Sequence, residues 1–273
     1  MKKYSDETFF HTAICAGASQ IAIDGRIEIA CAISIRLIAT GRSGMEINME
    51  IIYEDKKMMI VRKEAGKLSQ SGKSFERDLT GEVLLYRKKK GEMQYAALIN
   101  RLDRPVSGLV LFAKDKAEAA RLSKLMQNEG LCKRYKAIIC GRPESDKGIF
   151  EDYLCKDERS NVSRVVDEKT YGAKYAKLEY EFVKEIHIGQ NLYSLVNIRL
   201  ITGRHHQIRV QFAQRNMPIL CDVKYGGEKA AFDRGSEEAA KVIKLSKNEI
   251  ALCAYSLKVD NKEYTTGQTW INE

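Results

Sequence analysis

Proline is scarce in this chain, with three in 273 residues, and there is one tryptophan and only four histidines. So few prolines exclude a proline-rich linker, and no low-complexity run or internal repeat is visible. A membrane helix needs about twenty apolar residues. The apolar run 8–23 is interrupted by His11 and Gln20 and followed at once by Asp24, Arg26 and Glu28, so neither export nor membrane insertion is expected. No Walker or GxGxxG fingerprint is present, which argues against a doubly wound nucleotide fold. The seven cysteines are odd in number and widely spaced, with no CxxC and no histidine beside them at ligand spacing. They read as reduced small hydrophobes of a cytoplasmic protein, and no metal site is expected.

What the chain does have is positive charge and enough apolar residues for a core, at 44% hydrophobic with a formal net charge of +9. The first 48 residues hold five basic and five acidic residues, so the whole excess lies in 49–273. Such a body suits a polyanionic partner, nucleic acid or an acidic membrane surface, and basicity alone does not choose. The length suggests one enzyme domain, 49–273, with an N-terminal extension, 1–48. In the extension, Asp24-Gly25 is a turn signal, and Ile27, Ile29, Cys31, Ile33, Ile35 and Leu37 alternate as in a strand, which suggests a small hairpin.

In the body, strands are expected at Ile51–Tyr53, Met58–Val61, Gly108–Lys114, Arg134–Cys140, Leu178–Val183 and Tyr193–Ile201. Asp115 with Glu118 reads as a capping box opening a helix that stops at Gly130, and a second helix is expected from about His205 to Arg215. The stretch Asp146–Thr170 reads as polar and irregular. Strands outnumber helices in irregular order, which predicts an α+β domain: a largely antiparallel mixed sheet with helices packed on it.

The most informative segment is Asn100-Arg101-Leu102-Asp103-Arg104-Pro105-Val106-Ser107-Gly108. An aspartate between two arginines reads as an ionised carboxylate, the form a nucleophile or base requires. Taken alone, it is more often a solvated ion-pair cluster. RLDRPVSGLVLFAK, however, resembles the signature of the RluA family of RNA pseudouridine synthases. Further blocks follow in the family's order: Ile52–Gly66, Lys133–Ala137 (KRYKA), Thr202–Val210 (TGRHHQIRV), Pro218–Gly226 (PILCDVKYG) and Ile250–Leu257. The resemblance covers about Met49 to Leu257.

The resemblance implies a pseudouridine synthase fold with a central RNA-binding cleft and isomerisation of a uridine in ribosomal or transfer RNA. That reaction needs no redox change or added group, so no cofactor is expected, and a monomer is expected. It implies Asp103 as the catalytic acid, Tyr135 as the aromatic beside the target base and Arg209 as the partner of the aspartate. On their own, Tyr135 would read as a core tyrosine and Arg209 as a snorkelling arginine. Arg101, Arg104, Lys133, Arg134, Lys136, Arg204 and His205 cluster around the motif blocks as candidate phosphate contacts. The chain departs from the family at Asn100 (usually histidine), Glu64 (usually proline) and Gln211 (commonly histidine). A rival reading of another class is a catalytically silent RNA-binding or assembly factor on a synthase scaffold. A glycosidase would need a second acid, and none stands out beside the motif.

Overall fold

The computed structural model describes residues 11–14, 35–39, 47–71, 78–128, 130–227, 243–246 and 248–267. The Asp24-Gly25 turn and the alternating positions 27–33 lie outside them; Ile35 and Leu37 fall on a strand. The described residues form two compact units, the first drawn from 1–63, 67–101 and 110–124, the second from 64–66, 102–109 and 125–273.

In the first unit, strands β1 (His11–Ile14), β2 (Ile35–Ala39), β3 (Ile47–Glu54) and β4 (Met58–Lys63) pair antiparallel in sequence order. Met58, Met59, Ile60 and Val61 are all buried, as an apolar strand core requires. Helix α1 (Leu79–Lys89) begins at Asp78, whose carboxylate accepts the Gly81 N–H at 2.6 Å. The sequence reading assigned no element here. Its apolar residues lack a clear helical stripe. Strand β5 (Ala97–Leu98) pairs with the end of β6 (Ser107–Ala113), whose seven residues are all buried.

Helix α2 (Lys116–Gln127) is capped at Asp115, which accepts the Glu118 N–H at 2.8 Å. Glu118's carboxylate engages Arg121 at 2.6 Å. At its other end the Gly130 N–H donates to Leu125 at 2.9 Å, the stop that the glycine suggested.

In the second unit the strand order is β12–β7–β11–β10–β8–β9: β7 (Cys132–Cys140), β8 (Lys147–Asp157), β9 (Val162–Val166), β10 (Lys174–Ile188), β11 (Asn191–Leu200) and β12 (Leu252–Val259). Strand β13 (Lys262–Thr265) pairs with β12. These pairings are antiparallel, while the start of β6 runs parallel to β12. The mixed, mostly antiparallel sheet is the one expected.

The expectation for 146–170 is corrected: it is a long hairpin, β8 and β9, with Lys147–Leu154 paired to Lys174–Glu181. Phe150 and Leu154 point inward, but Asp152 shares their face and Ile149 and Tyr153 stand on the other, which hid the alternation. Helix α3 (Gln207–Ala213) is shorter than expected, because His206 adopts a left-handed backbone, φ +53°, and the helix starts only after it. Phe212 stacks edge-on against Phe150 and Tyr180, with centroids 5.0 and 5.9 Å away. Full burial of that ring contributes roughly 1.5–3 kcal/mol. Gly108 has φ +128°, and an added Cβ would collide with the Ala254 backbone, so the close approach of β6 to β12 requires glycine.

Candidate active site

Three successive carbonyls pin the loop that carries Asp103. Asp103 O accepts the Val106 N–H at 3.1 Å, Arg104 O the Gly66 N–H at 2.7 Å, and Pro105 O the Ile250 N–H at 3.2 Å. Ser107 Oγ donates to Glu249 at 2.9 Å and ties down the end of the loop. A backbone held this way fixes the direction of the Asp103 side chain, which keeps 28% of its surface exposed.

The cation that meets it comes from α3. Arg209 Nη1 donates to Asp103 Oδ2 at 3.0 Å, while Nε and Nη2 form a fork on Asp222 at 2.7 and 2.8 Å. Such a fork is the strong, directional form of the pair. Asp222 is 1% exposed. Its carbonyl accepts the N–H groups of Tyr225 and Gly227 at 3.0 and 2.9 Å, so the turn after Pro218 holds the acid in place. Burial works against the Arg209 charge, but Asp222 and Asp103 outweigh it and raise its pKa.

The approach to α3 is equally determined. Gln207 Oε1 accepts from Thr202 Oγ1 at 2.7 Å and from the Arg204 N–H at 3.0 Å, which closes the Thr202-Gly203-Arg204 turn. His206 stacks on His205 with centroids 3.8 Å apart, its Nδ1 lies 2.8 Å from Tyr225 Oη, and its Nε2 lies 3.6 Å from Asp103 Oδ2. Burial lowers the His206 pKa to about 3; Asp103's charge opposes this, and Arg209's adds to it. The imidazole is therefore neutral.

Tyr135 is 6% exposed on β7. Register connects it to the motif loop, because Lys136 pairs with Cys253 and Cys253 with Ser107. Burial, then the charge of Asp103, pushes the Tyr135 pKa well above the usual tyrosine value. A phenol held protonated is a packing surface and a donor, not a base.

The candidate phosphate contacts divide. Lys133 shares the inward face of β7 with Tyr135, and its amine reaches the Gly203 turn: a Cβ there would lie 3.6 Å from Nζ. Burial, helped by the charge of Arg204, lowers the Lys133 pKa. His205 contacts Ser163 Oγ at 2.9 Å, and the exposed Arg204 donates through Nε to Tyr175 O at 2.7 Å. Arg134 and Lys136 stand on the opposite face of β7. Arg134 pairs with Glu263 at 3.3 Å, and Lys136 lies 5.2 Å over the Tyr255 ring. A groove of about 620 Å³ on that face is lined by Arg134, Asn197, Arg199 and Tyr255 among others, and Asp103 is not part of it. Arg104 donates through Nε to Gly66 O at 3.0 Å, and Arg101 is exposed at the end of a segment of the first unit.

Two of the three departures from the family pattern have structural occupations. Asn100 Oδ1 accepts the Leu111 N–H at 2.8 Å. The fully buried Gln211 donates to Asp152 at 2.7 Å and accepts from Gln207 at 3.0 Å.

Sequence reading did not single out His206, Asp222, Tyr225 or Ser163, although the first three lie inside its quoted blocks. Asp222 is a second acid near Asp103, which the sequence reading did not find. Both its oxygens are engaged by Arg209, so it is not available as a glycosidase acid. No cluster of three or more His, Cys, Asp or Glu residues suited to a metal occurs among the described residues.

A family model described as RNA pseudouridylate synthase matches residues 57–214, more than half of the chain and inclusive of Asp103, Tyr135 and Arg209. The chain is 28% identical over 228 residues to ribosomal large subunit pseudouridine synthase C of Haemophilus ducreyi, covering 83% of this chain and 65% of that protein. It is 30% identical over 189 residues to ribosomal large subunit pseudouridine synthase D of Blochmanniella floridana, covering 68% of this chain and 57% of that one. It thus spans between about half and two thirds of the length of these curated relatives. The fold resembles that of Human RNA Pseudouridylate Synthase Domain Containing 1, with a TM-score of 0.62, 19% identity, 82% of this chain and 89% of that chain covered.

Proposed function

Since the chain belongs to the RNA pseudouridylate synthase family, we propose that it converts a uridine of structured RNA, ribosomal RNA first among candidates, into pseudouridine with Asp103 as the catalytic carboxylate. The observation that carries this reading is the Arg209 guanidinium between Asp222 and Asp103, which holds one oxygen of Asp103 while the carboxylate stays partly open.

The reaction breaks the C1′–N1 bond, turns the uracil over in place and joins C5 to C1′. Asp103 either attacks C1′ or takes the C2′ proton to give a glycal. Both routes pass through electron-poor character at C1′, which a carboxylate aimed at the ribose favours. Tyr135, kept as a neutral phenol, packs against the uracil and offers it a donor. The nucleotide must leave its stack at a cost of a few kcal/mol, offset by backbone contacts for which Lys133, Arg204 and His205 are the best placed.

Tritium release from RNA carrying 5-tritiated uridine tests the reading. Asp103→Asn is expected to abolish release while RNA affinity and unfolding midpoint stay near wild type. Equal release by the two proteins would refute the assignment, and a wild type that binds RNA without release would favour a silent RNA-binding factor. We further assign catalysis to residues 49–273: deletion of 1–44 is expected to leave one cooperative unfolding transition, and its loss would contradict that boundary.

A further inference from the structure

Ser163, Tyr225, His206 and Asp103 form a chain of polar contacts that the Asp103–Arg209 pair does not require, and the chain has a direction. Tyr225 Oη accepts the Ser163 N–H at 2.8 Å. It has one proton of its own to give, and His206 Nδ1 is 2.8 Å away. An imidazole whose Nδ1 accepts carries its proton on Nε2. Nε2 is the atom that faces Asp103, 3.6 Å from Oδ2, and Oδ2 is also the oxygen that Arg209 holds. Among the described residues Oδ1 accepts no hydrogen bond.

The geometry points to His206 as a positioning residue for the proposed isomerisation: Tyr225 fixes its tautomer, its Nε2–H steadies Oδ2 beside Arg209, and Oδ1 is left as the oxygen that meets the ribose. At 3.6 Å the contact lies beyond hydrogen-bond distance in the free protein, and the assignment requires it to shorten when substrate draws the carboxylate into line. A charged imidazole would compete with Arg209 for Asp103, and burial of the ring prevents that charge. Ser163 lies on β9, so the β8–β9 hairpin reaches the carboxylate through two side chains.

A purely structural reading makes a different demand on position 206. There the residue would serve only to turn the chain left-handed ahead of α3, φ +53°, a conformation that asparagine tolerates better than glutamine. The glutamine amide, however, reaches about as far as Nε2, whereas the asparagine amide stops near Nδ1.

His206→Gln and His206→Asn therefore separate the two roles in single-turnover assays on large-subunit ribosomal RNA transcribed with 5-tritiated uridine. Gln is expected to stay within a few-fold of wild type, while Asn loses about ten- to a hundredfold in rate, as loss of a hydrogen bond to a charged group implies, with RNA affinity unchanged. Asn at wild-type rate with Gln impaired, or no effect of either, overturns the assignment.

This kinetic arm rests on the activity proposed above; a second arm does not. Nitrogen NMR of the free protein is expected to show His206 as the Nε2–H tautomer from about pH 5 to 8, and Tyr225→Phe to mix the tautomers. A wild-type Nδ1–H tautomer, or insensitivity to Tyr225→Phe, would sink the relay even in an active enzyme. Absence of tritium release from a wild type with the expected tautomer would instead fault the activity.

Discussion

Each compact unit contains a cluster of opposite charges, and the two differ in what they leave over. In the first unit Glu54 and Glu92 meet Lys90, Lys114 and Arg87 at 2.7 to 3.2 Å, with Tyr86 on Glu54 at 2.8 Å. All four carboxylate oxygens are engaged, and the Lys114 ammonium also donates to Asp55 O. In the second unit both oxygens of Asp222 are engaged, but Asp103 keeps Oδ1 without a partner among the described residues. Both clusters are ion-pair networks of the kind that perturb acids. A closed network is the signature of a structural device, and a leftover oxygen on a pinned, partly open carboxylate is that of a reactive one.

Breaking the pairs should separate the two roles, and the largest effects are expected there. Asp222→Asn removes a buried charge that faces a buried guanidinium, and such a loss costs about 3–5 kcal/mol. It also frees Arg209 to follow Asp103, so the single-turnover rate should fall about a hundredfold, the scale of a small misplacement. Lys114→Met should cost about 2–3 kcal/mol, less because Lys90 still bridges both carboxylates, and should leave the rate per folded molecule unchanged. Urea unfolding with parallel tritium release measures both. A rate loss in Lys114→Met as large as that in Asp222→Asn would erase the distinction.

Acid should distinguish the clusters by where their contributions begin to fail. Burial alone would raise Glu92, but Lys114, Arg87 and Lys90 bring its pKa to about 2, below the ordinary 4.5. The stability it contributes is complete above its unfolded value and is lost as pH falls from about 4.5 toward 2. His206 acts earlier. Its folded pKa is about 3 against an ordinary 6.5, so below 6.5 the unfolded chain takes up a proton that the folded one refuses. Stability should decline from there by at most about 1.4 kcal/mol per pH unit. Urea midpoints between pH 7 and 5 are expected to fall in wild type and to flatten in His206→Gln; equal slopes would show that the ring is charged in the folded protein.

Legibility in the sequence followed the range of the interactions. The strands at 58–61 and 108–114 and the cap at Asp115 were readable because their signals are local: an apolar run, or a capping residue and a glycine stop. The β8–β9 hairpin was not, because its inward residues are spaced among charges and its pairing partner, Lys174–Glu181, comes later in the chain. At the site, Asp103, Tyr135 and Arg209 entered through a resemblance of ordered motif blocks. Asp222 was inside a quoted block, yet nothing local says that its carboxylate lies beneath a guanidinium 13 residues earlier. His206 reads as one more polar residue before a helix until its backbone angle and its two ring partners are known.

The smallest expected effect concerns which face of β7 the RNA meets. Adjacent residues of a strand point to opposite sides, so Tyr135 and Arg134 cannot serve one binding surface even though both lie in the KRYKA block. Arg204 precedes the His205–His206 pair, and its charge is felt by Lys133 on the Tyr135 side. If Arg204 contacts a phosphate, Arg204→Ser should weaken RNA binding and reduce the slope of log affinity against log salt by about one, while Arg134→Ser should leave the slope unchanged. The reverse result would move the RNA to the groove lined by Arg134, Arg199 and Tyr255. It would also detach the open carboxylate from the surface that binds substrate, because an oxygen free of protein partners has catalytic meaning only where a ribose can reach it.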